Sequence, residues 1–245
     1  MFRLQHCFVL SAIGAYLLAS AQVIKHTSSD RSEALDIRRG YWSGKAISLF
    51  NTANAADPVP NRELTLYSPD RAKLVQVHDQ RVSVFLGDKK FPTDFWSKTS
   101  AELGWSPDSA RFFLTWTRGG NLGDWHVAVY DVSAAGVKEV KGIERNPIKD
   151  FEKYVRLLPL DPEFRNLPSG MGHYCYSNVA AAQWLNGSSE LLLSVMVEPE
   201  GDCWYSEEFL VYRVAIPSGR ILQRYTAKDA HRLFDPENLP IITRR

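Results

Sequence analysis

The sequence predicts an all-β fold of antiparallel, four-stranded sheets, and three observations predict it. An apolar strand, a tight polar turn and a strongly β-forming strand recur three times along the chain. Each copy is followed by a second hairpin, so every unit holds four short strands. Helical periodicity is confined to one internal stretch and one near the C-terminus.

The elements follow in order. Arg3 and the α-amino group precede an apolar run from Cys7 to Ala19, which ends in Ala19-Ser20-Ala21. A positive start, an apolar core of about 13 residues and a small-x-small site describe a secretory signal peptide over 1–21, cut after Ala21. The run is shorter than the roughly 20 residues a bilayer span needs, so no stable span is expected after cleavage. The expected location is periplasmic or secreted. Residues 22–61 form an N-terminal extension whose strand-like Lys45–Phe50 segment could, with the C-terminal tail, complete a partial fourth unit.

The β domain is expected over 62–245. Its first unit runs from Leu64 to Tyr67, turns at Ser68-Pro69-Asp70 and returns to Val77; Arg81–Leu86 and a Gly87-Asp88 turn complete it. The second runs from Leu103 to Trp105, turns at Ser106-Pro107-Asp108 and returns to Thr115; Trp125–Val132, Ser133–Gly136 and Val137–Val140 follow. Proline at the second turn position and Ser and Asp acceptors beside it suit a tight turn. The third unit has Ala181–Trp184, an Asn186-Gly187 turn that tolerates positive φ, a strand to Ser194, and the hairpin Glu208–Val214 to Arg220–Tyr225. Between units two and three lies a helical insertion, 142–177. Asn146 reads as its N-cap with Pro147 first in the helix, and Ile148, Phe151, Tyr154, Val155 and Leu158 recur at helical spacing. Thr226 to Asp229 resembles a capping box opening a short helix to about Phe234.

The Trp105-Ser106-Pro107-Asp108 turn and the later His126–Val132 strand resemble WD40-like repeats of TolB type, which build β-propellers in exported bacterial proteins. Tyr67–Asp70 is a fair copy and Trp184–Gly187 a degenerate one, and Tyr67 and Trp105 lie 38 residues apart, close to one blade. The resemblance covers about 62–225. It implies propeller-like blades, three clear units against the usual 4–8 of a closed ring. The glycine usual after Ser-Pro-Asp is replaced by Arg71 and Ser109. A β-sandwich using the same turns is the alternative. An open array would need its edges covered, by the helix or by another chain, so an oligomer is an expectation under that geometry.

Lys+Arg 29 against Asp+Glu 28 leaves a charge of +1 and no basic stripe, which excludes nucleic acid as the main partner. Cleavage of the leader removes Cys7 and leaves Cys175 and Cys203, an even pair that invites a disulfide in an oxidising compartment. Meander topology collects the second-to-third strand connections on one face, together with the insertion. That face carries the ligand-binding candidates Arg118, Asp124, His173, Tyr174, Asp202 and Trp204. His173 and Tyr174 sit beside a flexible Gly pair, although a structural turn explains them as well. Glu198, Glu200, Asp202, Glu207 and Glu208 fit no cation-binding spacing and read as a solvated rim. His126, at a strand start, reads as a packing residue. No nucleophile elbow, zinc motif or Cys pair at redox spacing occurs, so no cofactor or metal is expected. The expectation is an exported, non-catalytic module binding a protein, peptide or glycan on its loop face. The alternative is an exported hydrolase acting on glycan or peptide, with its site on that face and His173, His126 or the acidic loop contributing.

Overall fold

The computed structural model describes Ser43 and residues 46–51, 59–60, 63–78, 81–96, 101–119, 123–158, 177–197 and 209–234. The fold is all-β; among the described residues it has three large antiparallel sheets in meander order, one inserted helix and one short helix after the last strand. Sheet 1 joins β4 (Glu63–Tyr67), β5 (Lys73–His78), β6 (Arg81–Leu86) and β7 (Lys89–Trp96). Sheet 2 joins β8 (Ala101–Trp105), β9 (Arg111–Gly119), β10 (Gly123–Ser133) and β11 (Gly136–Val140), and sheet 3 joins β12 (Ser177–Leu185), β13 (Glu190–Val197), β14 (Phe209–Ala215) and β15 (Ile221–Thr226).

The turns form for the reason their residues suggest. The Ser68 hydroxyl donates to Asp70 Oδ1 at 2.6 Å and accepts the Lys73 N–H at 3.0 Å. Asp70 Oδ1 also accepts the Ala72 N–H at 3.0 Å. The second turn repeats the network: Ser106 donates to Asp108 at 2.7 Å and accepts the Arg111 N–H at 2.8 Å. Arg71 and Ser109 both adopt φ of 59°, the left-handed conformation that glycine takes most readily. Both residues thus hold a glycine-type backbone without being glycine. In the third turn Asn186, Gly187 and Ser188 all have positive φ.

Alternation along the strands places two faces on each sheet. Leu64, Leu66, Val75, Val77, Val82 and Val84 of sheet 1 meet Leu103, Phe112, Leu114 and Tyr130 of sheet 2 in one buried core. The opposite face of sheet 2 (Phe113, Val127 and Val129) meets Val179, Leu191, Leu193, Leu210 and Tyr212 of sheet 3 in a second. A third core lies on the other face of sheet 3, where Ala180, Leu192 and Val211 pack with Ala230 of the C-terminal helix α2 (Ala227–Leu233). Polar contacts join sheets 2 and 3: Thr115 Oγ1 accepts the Ala181 N–H at 3.1 Å, and Asn178 Oδ1 accepts the Trp125 N–H at 3.0 Å. Three stacked meanders stand where a sandwich would have two sheets.

Two features of the chain path depend on distant partners, and the second corrects the expected helix cap. Within Lys45–Phe50, β1 (Ile47–Ser48) belongs to sheet 2. It pairs with β8 and extends sheet 2 to five strands, with Leu49 N–H bonded to Ala101 O at 2.8 Å. The neighbouring β2 (Phe50–Asn51) and β3 (Val59–Pro60) pair with each other. Burial of Ala46 and Leu49, each in a different core, draws this segment onto the inner edge of sheet 2.

The inserted helix α1 spans Arg145–Val155, and its N-cap is Glu144 rather than Asn146. Asn146 instead donates its side-chain amide to Gly219 O at 2.9 Å, a tertiary bond that competes with capping. Pro147 is tolerated because a first-turn residue needs no N–H partner. Pro147, Phe151 and Val155 are buried at helical spacing, and Tyr212 anchors the helix by donating to Asp150 Oδ2 at 3.1 Å. Burial and the Asp150 charge push the Tyr212 hydroxyl well above its ordinary range, so it stays a donor. At the C-terminus the capping box forms as read, with Thr226 Oγ1 accepting the Asp229 N–H at 3.2 Å.

Candidate functional site

Meander order sorts the connections between the two ends of the sheets. The Ser-Pro-Asp turns and the β6–β7 and β10–β11 turns share one end. The β5–β6, β9–β10 and β13–β14 connections leave from the other, after the last pairs His78–Arg81, Gly119–Gly123 and Met196–Phe209. Arg118 and Asp124 belong to this second end, but they lie inside β9 and β10 rather than in a loop. The ladder runs on to Gly119–Gly123, which shortens the connection to 120–122. His173, Tyr174, Asp202, Trp204, Cys175 and Cys203 fall outside the described residues, as does the acidic 198–208 stretch.

Two residues in from Arg118 and Asp124 stands a cluster with definite geometry. His126 Nδ1 lies 3.2 Å from Glu144 Oε1, and the second carboxylate oxygen accepts the Val127 N–H at 2.8 Å. The reason is the length of β11. Its pairing with β10 ends at Val129–Val140, so beyond that point β10 keeps β9 on one side and has no strand neighbour among the described residues on the other. Glu144, entering the helix, supplies the missing acceptor with its carboxylate and holds the imidazole with the same group. The Trp116 and His126 rings lie 5.2 Å apart, and Phe95 packs edge-on against Trp116 at 5.6 Å. His126 is a packing residue, as its strand position suggests, and it is also an oriented imidazole. Glu144 and Trp116 were not legible as partners, because each lies on a different element and nothing in the local sequence marks the contact.

A cleft of about 400 Å³ opens between the β10–β11 hairpin and α1. Val127, Val140, Ile143 and Ile148 form its apolar floor, and Glu139, Glu144, Arg145, Lys149 and Glu152 its rim. Among the described residues no group of three His, Cys, Asp or Glu could hold a metal ion, and no helix is long and apolar enough to cross a membrane.

No family model, curated protein or solved structure matches the chain. Its class rests on its own geometry: an all-β stack of meander sheets with bonded turns at one end and unequal connections at the other.

Proposed function

We propose that the protein is an exported, non-catalytic binding module of propeller-like β architecture, related to WD40-like repeat proteins. It recognises a protein, peptide or glycan through the end of the sheets that carries Arg118, Asp124, His173, Tyr174, Asp202 and Trp204. The observation that carries this reading is the contrast between the two ends. At one, Ser68 with Asp70 and Ser106 with Asp108 tie the chain into near-identical turns. At the other, connections of unequal length, 79–80, 120–122 and 198–208, follow strands held rigidly by three cores. Variable loops on a rigid scaffold are where recognition concentrates. The leader over 1–21 supports a periplasmic or secreted location, and the function needs neither cofactor nor metal.

The test is to display the mature chain, beginning at Gln22, against glycan and peptide arrays. Saturable binding that Trp204→Ala or His173→Ala removes is the expected result. Turnover of secreted-hydrolase substrates, abolished by His173→Ala or Asp202→Ala, would overturn it.

One observation favours a second reading, an exported hydrolase acting on glycan or peptide. Glu144 orients His126 as a carboxylate orients a general base. That reading requires turnover that disappears in His126→Ala while the fold survives.

A further inference from the structure

We infer that the cleft between the β10–β11 hairpin and α1 binds the carboxy-terminal residue of a peptide that ends in an apolar side chain. The inference stands apart from the loop-face reading and does not rest on it. Its first support is size and lining. At about 400 Å³ the cleft falls in the range of small-ligand sites, and Val127, Val140 and Ile143 on its floor are buried apolar residues.

The second support is which rim charges are already engaged. Glu139 is paired with Lys141, and Glu144 is taken by His126 and the Val127 N–H. Arg145, Lys149 and Glu152 are exposed and form no ion pair among the described residues. Arg145 and Lys149 are four residues apart in α1, so they stand on one face of the helix, one turn apart. Two unengaged cations beside an apolar floor select an apolar group that carries a carboxylate.

Glu152, three residues beyond Lys149, narrows the choice further. A simple fatty acid would meet only repulsion from this carboxylate. A peptide offers it the N–H of the terminal residue, while the terminal carboxylate meets Arg145 and Lys149 and the side chain covers the floor. All three features of the cleft are then used by one ligand.

Fluorescence anisotropy of dansyl-Gly-Ala-Leu with the full mature chain tests this. The free acid is expected to bind saturably, and its C-terminal amide about tenfold more weakly or worse, as is dansyl-Gly-Ala-Asp. Arg145→Glu with Lys149→Glu should weaken the free acid by at least about tenfold while leaving the circular dichroism melting curve in place. Both side chains are exposed, and Lys149→Glu alone serves if the double variant misfolds. Equal binding of acid and amide, octanoate competing as well as the peptide, no saturation at millimolar peptide, or unchanged binding by the charge-reversed variants would each overturn the inference.

Discussion

The Ser109 hydroxyl accepts a hydrogen bond from the backbone N–H of Asp70 at 3.0 Å, tying the turn of the second sheet to the turn of the first. The next junction is also tied through its turn, by a different bond. Arg111 donates to Ser188 O at 3.0 Å, and the Ser188 hydroxyl neighbours the Asp108 carboxyl. Ser109 and Ser188 occupy matching turn positions with positive φ, and at that position the first sheet carries Arg71. The turns therefore do two jobs, reversing the chain and setting one sheet against the next.

This separates the roles of two residues with the same backbone. Arg71→Gly relieves left-handed strain with no hydroxyl to lose, and it should stabilise the protein by about 0.5–1 kcal/mol. Ser109→Ala keeps the strain and removes the bond to Asp70, so it should destabilise by about 0.5–1.5 kcal/mol. Ser109→Gly combines relief with loss and should fall between them. Urea midpoints of the three variants give the order directly, and an Arg71→Gly midpoint below wild type contradicts the assignment.

Asp70 gives the turn a pH signature. The Ser68 hydroxyl, helped by the Ala72 N–H and Lys73, holds its carboxyl down at about 2 against a partial burial that pushes the other way. A carboxyl lowered on folding stabilises the native state above its unfolded value and loses that contribution as pH falls through the folded one. Asp70→Asn should thus be less stable than wild type at pH 6, with the gap closing between about pH 4 and pH 2. Denaturation of both proteins across that range measures the gap, and a gap independent of pH refutes the coupling.

Gly104 is fixed by a neighbour rather than by its backbone angles. A Cβ there would run into the Phe113 ring, and Gly104 O also accepts the Trp184 indole N–H at 3.0 Å. Phe113 is 1% exposed, so its ring has nowhere to retreat. Gly104→Ala should cost about 1–3 kcal/mol, and Phe113→Leu in the same chain should recover part of that loss. A double-mutant cycle in urea reads the coupling; strictly additive effects would mean that Phe113 is not the obstacle.

What was legible in the sequence was local. Ser-Pro-Asp and Asn-Gly turns, the Arg81–Leu86 strand and the Thr226 cap depend on neighbours within a few residues, and each formed where it was expected. What was not legible depends on distant partners. The Ile47–Ser48 pairing with β8 spans more than fifty residues and is decided by two cores that bury Ala46 and Leu49. Asn146 reads as a cap until the Gly219 carbonyl arrives to take its amide. Arg118 and Asp124 looked like loop residues because Gly119 and Gly123 flank the gap, yet the ladder closes on those very glycines. Glu144 is an ordinary acidic residue before a helix until β11 stops short and leaves the Val127 N–H to it.

Glu144 should accordingly behave as a joint between sheet 2 and the inserted helix. Glu144→Ala leaves the Val127 N–H without its carboxylate acceptor and removes one contact of His126, for a loss of about 1–3 kcal/mol. Glu144→Gln retains an acceptor for Val127 and should lie much closer to wild type. Hydrogen exchange localises the effect: Val127 amide protection should fall in the alanine variant and persist in the glutamine variant. Unchanged Val127 protection in Glu144→Ala would show that another group satisfies the strand.

The last prediction concerns Cys175 and Cys203. The pairing of Ser177 with Val197 brings the chain entering β12 and the chain leaving β13 to the same end of sheet 3. Cys175 lies two residues before the first, and Cys203 six residues after the second. Both ends of the proposed bridge therefore start from one place, and the export proposed above would bring the chain to an oxidising compartment. A bridge closing a loop of this length is worth about 3.5 kcal/mol on the chain-entropy model. Free-thiol titration of the mature protein under denaturing conditions should find none, and Cys175→Ser, Cys203→Ser and the double variant should lose similar stability. Two titratable thiols in protein purified from the exported fraction would rule the bridge out. A double variant much less stable than either single one would show that the cysteines contribute separately.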